Sequence, residues 1–348
     1  MNSRQDSEKI LNSYGFFVSP DELNPEETLD ARIVRRREQK WLDMFARWTY
    51  FIPSRFDKVK SRCRKGIPAS VRGQAWYHLS MAKYRQENAD RHCLSGRLFS
   101  YYLTKKPDAR IIDDINKDLP RAFPEHEMFQ SDSCGQQSLS DVLTSYAVHD
   151  PEVGYCQAHA PIASILLMHL PPEQAFWVFV QINEEYVKGY FSDQLMAVKV
   201  DALATGILVE QISPKGYRLL SKLNVDPLLY TIDWYMTLFS RTYAAPKLYR
   251  IWDMFFCEGV KVLFRIALVI VRETLEVGPS SIVQRAHRCD NDMDLAALIK
   301  QTAKQIPLDD LIEKMAKLPV TDLDLAKACK KARQQLAEDL QARANRRK

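Results

Sequence analysis

The sequence lacks the short motifs by which proteins hold nucleotides, and it has no long apolar run. Neither G-x-x-x-x-G-K-[ST] nor G-x-G-x-x-G occurs, so we expect no nucleotide site in the chain itself. Apolar runs such as residues 175–180 and 266–271 are far shorter than the roughly 20 residues of a membrane-spanning helix. We therefore predict a soluble protein that depends on a partner for any phosphate or magnesium.

Cysteine and histidine patterns do not indicate a disulfide framework or a metal site. The seven cysteines are widely spaced and never form a C-x-x-C pair, so reduced cytosolic thiols are expected. Cys156 and His159 lie three residues apart, but in an apolar segment where a buried thiol is usually inert. No metal is predicted, because four histidines lack ligand spacing to nearby cysteines or carboxylates: His126, His149, His169 and His287.

Charge and chain ends place few limits on function. The net charge is +5, from 49 basic and 44 acidic residues, which is too small and too interspersed to indicate nucleic-acid binding. The first residues contain no apolar signal core, and the last residues are not a prenylation box. We expect a cytoplasmic protein whose charge is compatible with peripheral contact to an acidic membrane surface.

The apolar pattern predicts an all-α fold. With 348 residues, 46% hydrophobic and 27% charged, the chain is long enough for about two domains or lobes. From Gly66 onward, apolar segments at helical spacing alternate with Gly, Pro, Asn, Asp or Ser, and strand-like alternation is scarce. We predict many helices in two lobes with a boundary near residues 189–193, and a core role for Trp76, Trp177, Trp234 and Trp252.

Three flanking segments have their own patterns. Residues 1–30 are polar and are expected to have little fixed structure, although the apolar cluster at residues 14–18 is expected to pack on the protein's own domain rather than on a partner. Residues 31–65 form a basic amphipathic helical lead-in, expected to pack on the domain, with an acidic lipid surface as the alternative. Residues 321–348 form a helix opened by Thr321 and Asp324, either a short coiled coil or a helix folded back on the domain.

The first run with chemical character contains Ile115, Asp118 and Arg121. On a helix these residues share one face, so Ile115 packs inward and the Asp118 carboxylate can hold the Arg121 guanidinium. Pro120 is expected to loosen or end the helix, so that Arg121 projects from its end. A planar guanidinium can neutralise charge on a transferring phosphoryl group. The alternative is an ordinary Asp/Arg surface pair.

The second run reads Gly154-Tyr155-Cys156-Gln157. Gly154 precedes an apolar segment, residues 155–170, that predicts a buried helix with Gln157 in its first turn. Pro161 removes the hydrogen bond to the Gln157 carbonyl and leaves that backbone free. A carboxamide can hold an attacking water through its donor and its acceptor. The alternative is a glutamine that merely caps the helix, whereas the two runs together suggest assistance to nucleotide hydrolysis.

The spacing Ile115-x-x-Asp118-x-x-Arg121 with Tyr155-x-Gln157 resembles the paired signature of the TBC-domain family, the GTPase-activating proteins for Rab GTPases. Further motifs follow in the family's order, from about Gly66 to at least Gly259. Gly66-Ile67-Pro68 with Arg72-Gly73-x-Ala75-Trp76 resembles the opening motif, and Arg250-x-Trp252-Asp253 with Phe255, Phe256, Glu258 and Gly259 resembles the late motif. The segments Gly154-Tyr-Cys-Gln-Ala and Ala175-Phe-Trp are most similar to the sequences of the family's tenth-member branch.

The resemblance implies a two-lobed multi-helix TBC-type domain, with residues 66–190 as the N-terminal lobe and residues 191–315 as the C-terminal lobe. It implies that the N-terminal lobe carries an arginine finger, Arg121, and a glutamine finger, Gln157. Both are supplied in trans to a GTP-bound Rab-family GTPase, which carries the GTP and Mg²⁺. Two alternatives remain: a catalytically weak TBC scaffold that binds a Rab or another protein, and a general helical interaction module. The presence of both fingers favours the active protein. The resemblance assigns finger support to Asp118, Tyr155 and Ile115, and the fold motif to Arg72, Trp76, Trp252, Asp253 and Gly259.

Overall fold

The computed structural model describes residues 9–19, 30–94, 96–130, 133–192 and 194–346. Within these ranges the regular secondary structure is almost entirely helical, and its sheet is one antiparallel hairpin of β1 (Ile10–Leu11) and β2 (Phe17–Val18). The predicted all-α class is therefore confirmed. Among the described residues, no helix combines the length and the apolar character needed to cross a lipid bilayer.

The α-helices are α1 (Ala31–Ala46), α2 (Trp48–Ser54), α3 (Phe56–Lys65), α4 (Ala69–Leu79), α5 (Ala82–Arg91), α6 (Leu98–Leu103), α7 (Ala109–Asp118), α8 (Gly135–His149), α9 (His159–Leu167), α10 (Pro172–Gln181), α11 (Met196–Ile212), α12 (Pro214–Lys222), α13 (Leu228–Met236), α14 (Ala245–Glu258), α15 (Lys261–Arg272), α16 (Ser280–His287), α17 (Asp292–Gln305), α18 (Leu308–Lys317) and α19 (Asp322–Arg346). Short 3₁₀ turns occupy Leu119–Arg121 and Glu127–Phe129, and π-helical turns occupy Ile182–Tyr186 and Glu273–Val277.

The chain divides into two compact units. Unit 1 comprises Met1–Glu185 with Trp252–Cys257, and unit 2 comprises Tyr186–Ile251 with Glu258–Lys348. The division thus lies at Glu185 and Tyr186. The lobe boundary near residues 189–193 stays a prediction, and Asp193 lies outside the described residues.

Unit 1 is built around α8, which packs against α6, α7, α9 and α10. Helix α10 also packs against α4 and α5, so apolar side chains surround it and its residues 175–180 are fully buried. Trp76, Trp177 and Trp252 are each at most 1% exposed, which confirms their predicted core role. Helix α4 comes unusually close to the end of α9, because a Cβ on Gly73 would lie 2.0 Å from the His169 carbonyl oxygen. Only glycine fits at that position.

Unit 2 is built around α11, which packs against α12, α13, α15 and α19. Trp234 is 1% exposed in this core, as predicted. The capping box at the start of α19 is present, since Asp324 N–H donates to Thr321 Oγ1 at 3.1 Å and Thr321 N–H donates to Asp324 Oδ2 at 2.9 Å. Because α19 lies along α11 with Ala328 and Ala332 buried, it is a helix folded back on its own unit.

The expectation of little fixed structure in residues 1–30 is wrong for residues 9–19. The Asn12 side chain accepts from the backbone N–H groups of Tyr14 and Phe16, at 2.9 and 3.0 Å, and so closes the hairpin turn. Phe16 is buried, which confirms that the cluster at residues 14–18 packs on the protein itself. Residues 1–8 and 20–29 lie outside the described part of the chain.

The basic lead-in also packs on its own unit, as predicted. Trp41 and Met44 on α1 are buried, and the Phe45 ring stacks on His78 of α4 with centroids 5.1 Å apart. Arg35 and Arg36 remain exposed on the other side of α1. The helix is therefore amphipathic, with its apolar face turned to α4.

Candidate functional site

Helix α7 holds the first run in place. Its N-cap is Asp108, whose side chain accepts from Arg110 N–H at 2.8 Å, and the helix is anchored by Ile115, which is fully buried. The α-helix ends at Asp118, and a 3₁₀ turn over Leu119–Arg121 follows, with Pro120 at its start. The prediction that the helix loosens at Pro120 is confirmed, and its cause is the missing N–H of proline.

Arg121 projects into solvent at the end of this turn. Its side chain is 72% exposed, whereas the Asp118 side chain is only 13% exposed. Arg121 Nη1 lies 3.7 Å from Asp118 Oδ1, close enough for an ion pair but beyond hydrogen-bond distance. Within the described residues this is its only ion pair, so the guanidinium is directed by Asp118 while its donors stay available to a partner.

The second run lies just before a helix rather than inside it. Helix α9 begins at His159, and Gln157 occupies the preceding turn with an exposed side chain, so the prediction of Gln157 in a first helical turn is wrong. Pro161 is the third residue of α9, where an N–H has no intrahelical acceptor in any case. The expected loss of a hydrogen bond to the Gln157 carbonyl therefore does not arise.

Gly154 directs the chain into this turn. Its φ of +59° lies in the left-handed region, and a Cβ at this position would lie 3.0 Å from Ile111 Cδ1 on α7. The backbone N–H of Gly154 donates to the Asp150 carbonyl at 2.8 Å, which closes the turn after α8. Gly154 thus allows the second run to pass directly beside the helix that carries the first.

A hydrogen bond joins the two runs. The Tyr155 hydroxyl donates to Asp118 Oδ2 at 2.8 Å, while Asp118 Oδ1 faces Arg121. Each carboxylate oxygen thus has its own partner, and one partly buried acid connects Tyr155, two residues before Gln157, with the arginine. The sequence assigned supporting roles to Asp118 and Tyr155 but did not indicate this contact, because the two residues are 37 positions apart.

The fold-motif residues converge on a buried carboxylate. Asp253 is fully buried, and its Oδ1 accepts from Trp76 Nε1 at 2.8 Å and from Arg72 Nε at 3.3 Å. Its Oδ2 accepts from the backbone N–H of Ile67 at 2.7 Å. The Trp252 ring lies 5.5 Å from the Trp76 ring, and Gly259 follows α14 with a φ of +82°. These residues therefore stabilise the fold, and Ile67 joins the hydrogen bonds through its backbone N–H and carbonyl.

The chain matches the family model of the Rab-GTPase-TBC domain over residues 69–276. The chain belongs to this family. It is 40% identical over 299 residues to TBC1 domain family member 10B of Mus musculus, covering 85% of this chain and 36% of that protein. It is 38% identical over 320 residues to TBC1 domain family member 10A of Mus musculus, covering 91% and 62% respectively. The resemblance to the tenth-member branch is thus confirmed, and the chain spans less than two thirds of either relative.

A solved structure supports the fold independently. The Chlamydomonas flagellar RabGAP TBC domain has a TM-score of 0.65 and 24% identity, with 88% of this chain and 99% of that chain covered. At this identity the likeness concerns the fold alone.

Upstream of the matched TBC region, the hairpin packs on the segment that follows Arg121. Phe17 N–H donates to the Glu125 carbonyl at 2.7 Å, and Glu127 N–H donates to the Gly15 carbonyl at 2.8 Å. The Phe16 ring meets the edge of His126 with centroids 4.7 Å apart, and burial lowers the pKa of that histidine. Sequence reasoning missed this support, for which the apolar cluster at residues 14–18 was the available signal.

A polar network holds the end of α8, before the turn that leads to Gln157. His149 Nε2 lies 2.7 Å from Glu184 Oε1, and His149 Nδ1 lies 2.9 Å from the Tyr102 hydroxyl. Glu184 also pairs with Arg85, which donates to Gln181 Oε1 at 2.8 Å. Burial opposes ionisation of Glu184, but hydrogen bonds from His149 and Arg85 hold its pKa below the ordinary value. Sequence reasoning considered His149 only as a metal ligand and missed this role.

His159 has a local structural role in the TBC domain. Its Nδ1 accepts from the backbone N–H of Cys156 at 3.3 Å, and its ring packs edge-on against Tyr146 and Phe179. Burial lowers the pKa of His159 to about 3, so the ring is neutral near pH 7. It thereby orders the backbone directly before Gln157.

Proposed function

We propose that this chain accelerates GTP hydrolysis by a Rab-type small GTPase, to which it supplies Arg121 and Gln157 in trans. The observation that carries the proposal is the hydrogen-bonded link from Tyr155 to Asp118, whose other oxygen faces Arg121. This link ties together two exposed side chains of the chemical types that phosphoryl transfer from GTP requires.

Arg121 acts on the charge of the transition state. Its guanidinium is exposed and lies in the field of Asp118, which limits its rotamers without occupying its donors at hydrogen-bond distance. An arginine supplied in trans to a GTPase is worth about 10³ to 10⁵ in rate. The preorganised pair therefore meets the main requirement of a GTPase-activating protein.

Gln157 acts on the attacking water. Its exposed amide offers one donor group and one acceptor, and it sits two residues after the anchored Tyr155. The buried His159 orders the backbone on its other side. The amide is thus presented from a defined turn, as water positioning demands.

In this proposal the partner is a GTP-bound Rab-family protein, and it carries both the GTP and the Mg²⁺. The reaction belongs to vesicle trafficking. The chain acts from the cytoplasm and is recruited peripherally to endosomal, secretory or plasma membranes.

The test is single-turnover phosphate release from a panel of GTP-loaded Rab proteins. We expect wild-type chain to stimulate at least one of them, and Arg121→Lys to lose nearly all stimulation, because lysine keeps the charge but not the planar fork. Thermal unfolding of the lysine variant should match wild type. Full stimulation by Arg121→Lys would exclude the arginine finger.

The role of Gln157 is tested by phosphate release from the stimulated Rab in four combinations. Wild-type chain or Gln157→Ala is mixed with either the wild-type GTPase or a GTPase variant whose own water-positioning glutamine, in its switch region, is changed to leucine. If Gln157 positions the water, wild-type chain should still stimulate the GTPase variant, and Gln157→Ala should stimulate neither partner well. A Gln157→Ala chain as active as wild type on the unmodified Rab would favour a one-finger mechanism. Binding of a Rab without any stimulation would favour a scaffold.

A further inference from the structure

The loop that presents Gln157 covers residues 150–158 and joins α8 to α9. Buried rings from three helices of unit 1 meet beside its two ends: Tyr146 on α8, His159 on α9 and Phe179 on α10. Each pair of these rings packs edge to face, with centroids 4.9 to 5.4 Å apart. The rings therefore fix the end of α8 relative to the start of α9.

Asp150 sets the path of this loop as it leaves α8. It is the C-cap residue of α8, and its backbone N–H donates to the Tyr146 carbonyl at 2.8 Å. Its side-chain Oδ1 accepts from Val153 N–H at 3.2 Å, and its carbonyl accepts from Gly154 N–H at 2.8 Å. One residue thus holds the first part of the loop with both its side chain and its main chain.

The Tyr146 side chain contacts both ends of the loop. Its hydroxyl donates to Asp150 Oδ2 at 3.4 Å, so the second carboxylate oxygen also has a partner. Burial, with a smaller effect of the Asp150 charge, raises the pKa of Tyr146, so the hydroxyl remains a donor near pH 7. The ring of the same tyrosine packs on His159, whose Nδ1 accepts from Cys156 N–H. The groups that hold the start and the end of the loop therefore meet on one buried side chain.

Both candidate fingers follow the same pairing of an aspartate with a tyrosine. Asp118 is the last residue of α7 and accepts from the Tyr155 hydroxyl at 2.8 Å. Asp150 caps α8 and accepts from the Tyr146 hydroxyl. The main-chain bond from Gly154 is enough to close the turn, because glycine adopts the required positive φ without strain. The side chain of Asp150 therefore constrains the loop beyond what the turn itself requires.

We propose that Asp150, together with the Tyr146 hydroxyl, is a positioning residue for Gln157, an inference that rests on the proposed role of Gln157 in hydrolysis. An exposed amide on a loop must be held in place if it is to orient a water, since a misplacement of about 1 Å can cost on the order of a hundredfold in rate. Asp150 acts through the loop and not on the substrate. Its contribution therefore belongs to the rate constant of the bound complex and not to binding.

The experiment compares Asp150→Ala, Asp150→Asn and Tyr146→Phe with wild type. The matched control is Glu152→Ala, which removes an exposed carboxylate from the same loop. Single-turnover phosphate release from a stimulated, GTP-loaded Rab protein, over a range of chain concentrations, gives the rate constant at saturation and the half-saturating concentration. Hydrogen exchange at the Val153 and Gly154 amides reports whether the loop has loosened.

We expect Asp150→Ala to lower the rate constant at least about tenfold and to leave the half-saturating concentration within about twofold of wild type. Asp150→Asn should stay within about threefold of wild type, because its amide oxygen still accepts from Val153 N–H and its NH₂ group can donate to the Tyr146 hydroxyl. Tyr146→Phe should lose only about threefold, since the hydrogen bond that it removes is long. Glu152→Ala should keep the wild-type rate constant.

A double-mutant cycle with Gln157→Ala separates positioning from a general structural role. If Asp150 acts through the amide, Asp150→Ala should cause no further loss of rate in a chain that already carries Gln157→Ala. An equal further loss in that chain would assign Asp150 to the fold and overturn the inference. The same cycle with Tyr146→Phe gives this decision should Asp150→Ala fail to fold.

The remaining outcomes distinguish this inference from the proposed function. Faster exchange at Val153 and Gly154 in Asp150→Ala, combined with a wild-type rate constant, would overturn the positioning role and leave Gln157 as the glutamine finger. A Gln157→Ala chain that keeps the wild-type rate constant would overturn the glutamine finger, and the positioning role with it. Loss of rate in Asp150→Ala, recovery in Asp150→Asn and no added loss in the cycle together support the inference.

Discussion

At the scale of single residues, the Tyr155 hydroxyl is the group that connects the two candidate fingers. Tyr155→Phe removes its hydrogen bond to Asp118 and leaves the ring in place. We expect the stimulated rate constant of a cognate Rab to fall by about tenfold with little change in KM, because positioning is lost and binding surface is kept. Single-turnover kinetics over a range of chain concentrations measure both quantities.

The matched control is Tyr84→Phe, which removes a hydroxyl from a side chain that is 61% exposed. It should behave as wild type. Asp118→Ala should lose more activity than Tyr155→Phe, since it removes the partner of Arg121 as well, and it should cost little stability. A variant Tyr155→Phe that is destabilised but fully active per folded molecule would show that the hydroxyl serves the fold and not the finger.

Asp253 is the buried carboxylate at which Ile67, Arg72 and Trp76 meet. Asp253→Asn replaces one carboxylate oxygen by an NH₂ group, which then faces donors from Ile67 or from Trp76 and Arg72. We expect a loss of about 3 to 5 kcal/mol in the free energy of unfolding, the usual cost of breaking a buried ion pair. Urea unfolding measures it, with the exposed Asp310→Asn as a control expected to stay near wild type. An unchanged midpoint for Asp253→Asn would contradict the role of this carboxylate.

At the scale of elements, the N-terminal hairpin supports the segment after Arg121. Phe16→Ala removes the buried ring that packs on Phe123 and His126. We expect faster hydrogen exchange at the Glu127 amide, which donates to Gly15, and a reduced rate of stimulated hydrolysis. Leu11→Ala, in the same hairpin but 47% exposed, should change neither quantity. A faster rate in Phe16→Ala would instead identify the hairpin as an inhibitory element.

At the scale of the whole molecule, histidines in buried or half-buried positions predict loss of stability in mild acid. Burial lowers the pKa of His78 to about 4 and the pKa of both His159 and His169 to about 3, against about 6.5 in the unfolded chain. Because the folded pKa is the lower one, the unfolded chain takes up these protons first. The stabilisation is therefore complete above about pH 6.5 and is lost as the pH falls toward 3 to 4.

Between about pH 7.5 and about pH 5.5 we expect the free energy of unfolding to fall by about 1 kcal/mol per histidine. Asp201 acts in the opposite direction, because burial raises its pKa to about 6 and its stabilising effect appears as the pH falls. Urea unfolding at the two pH values measures the net change. His78→Gln should reduce the pH dependence, and the exposed His92→Gln should not. A stability that is equal at both pH values would show that these rings are not neutral in the folded protein.

The sequence by itself determined the features that depend on neighbours along the chain. Helical spacing indicated the all-α class, Pro120 indicated the end of α7, and the Thr321 and Asp324 pair indicated the start of α19. The inward side of Ile115 followed from the same spacing. Helix ends and the buried face of a helix depend on residues within a few positions of each other, so they can be predicted from the sequence without the tertiary structure. The motif pair at Arg121 and Gln157 likewise identified the family.

Only the tertiary structure decided which distant residues meet. The Tyr155 bond to Asp118 spans 37 positions and the Trp76 bond to Asp253 spans 177, and neither leaves a local pattern. Helix α9 begins at His159, after the turn at Gly154 that contacts α7. The apolar run from residue 155 instead predicted an earlier helix start. The hydrogen bond from Arg62 Nη1 on α3 to the Lys40 carbonyl on α1 spans 22 positions and likewise required the two helices to pack side by side. Such contacts arise when helices pack and bury their apolar faces, and the polar groups brought together in this way determine what the surface can bind.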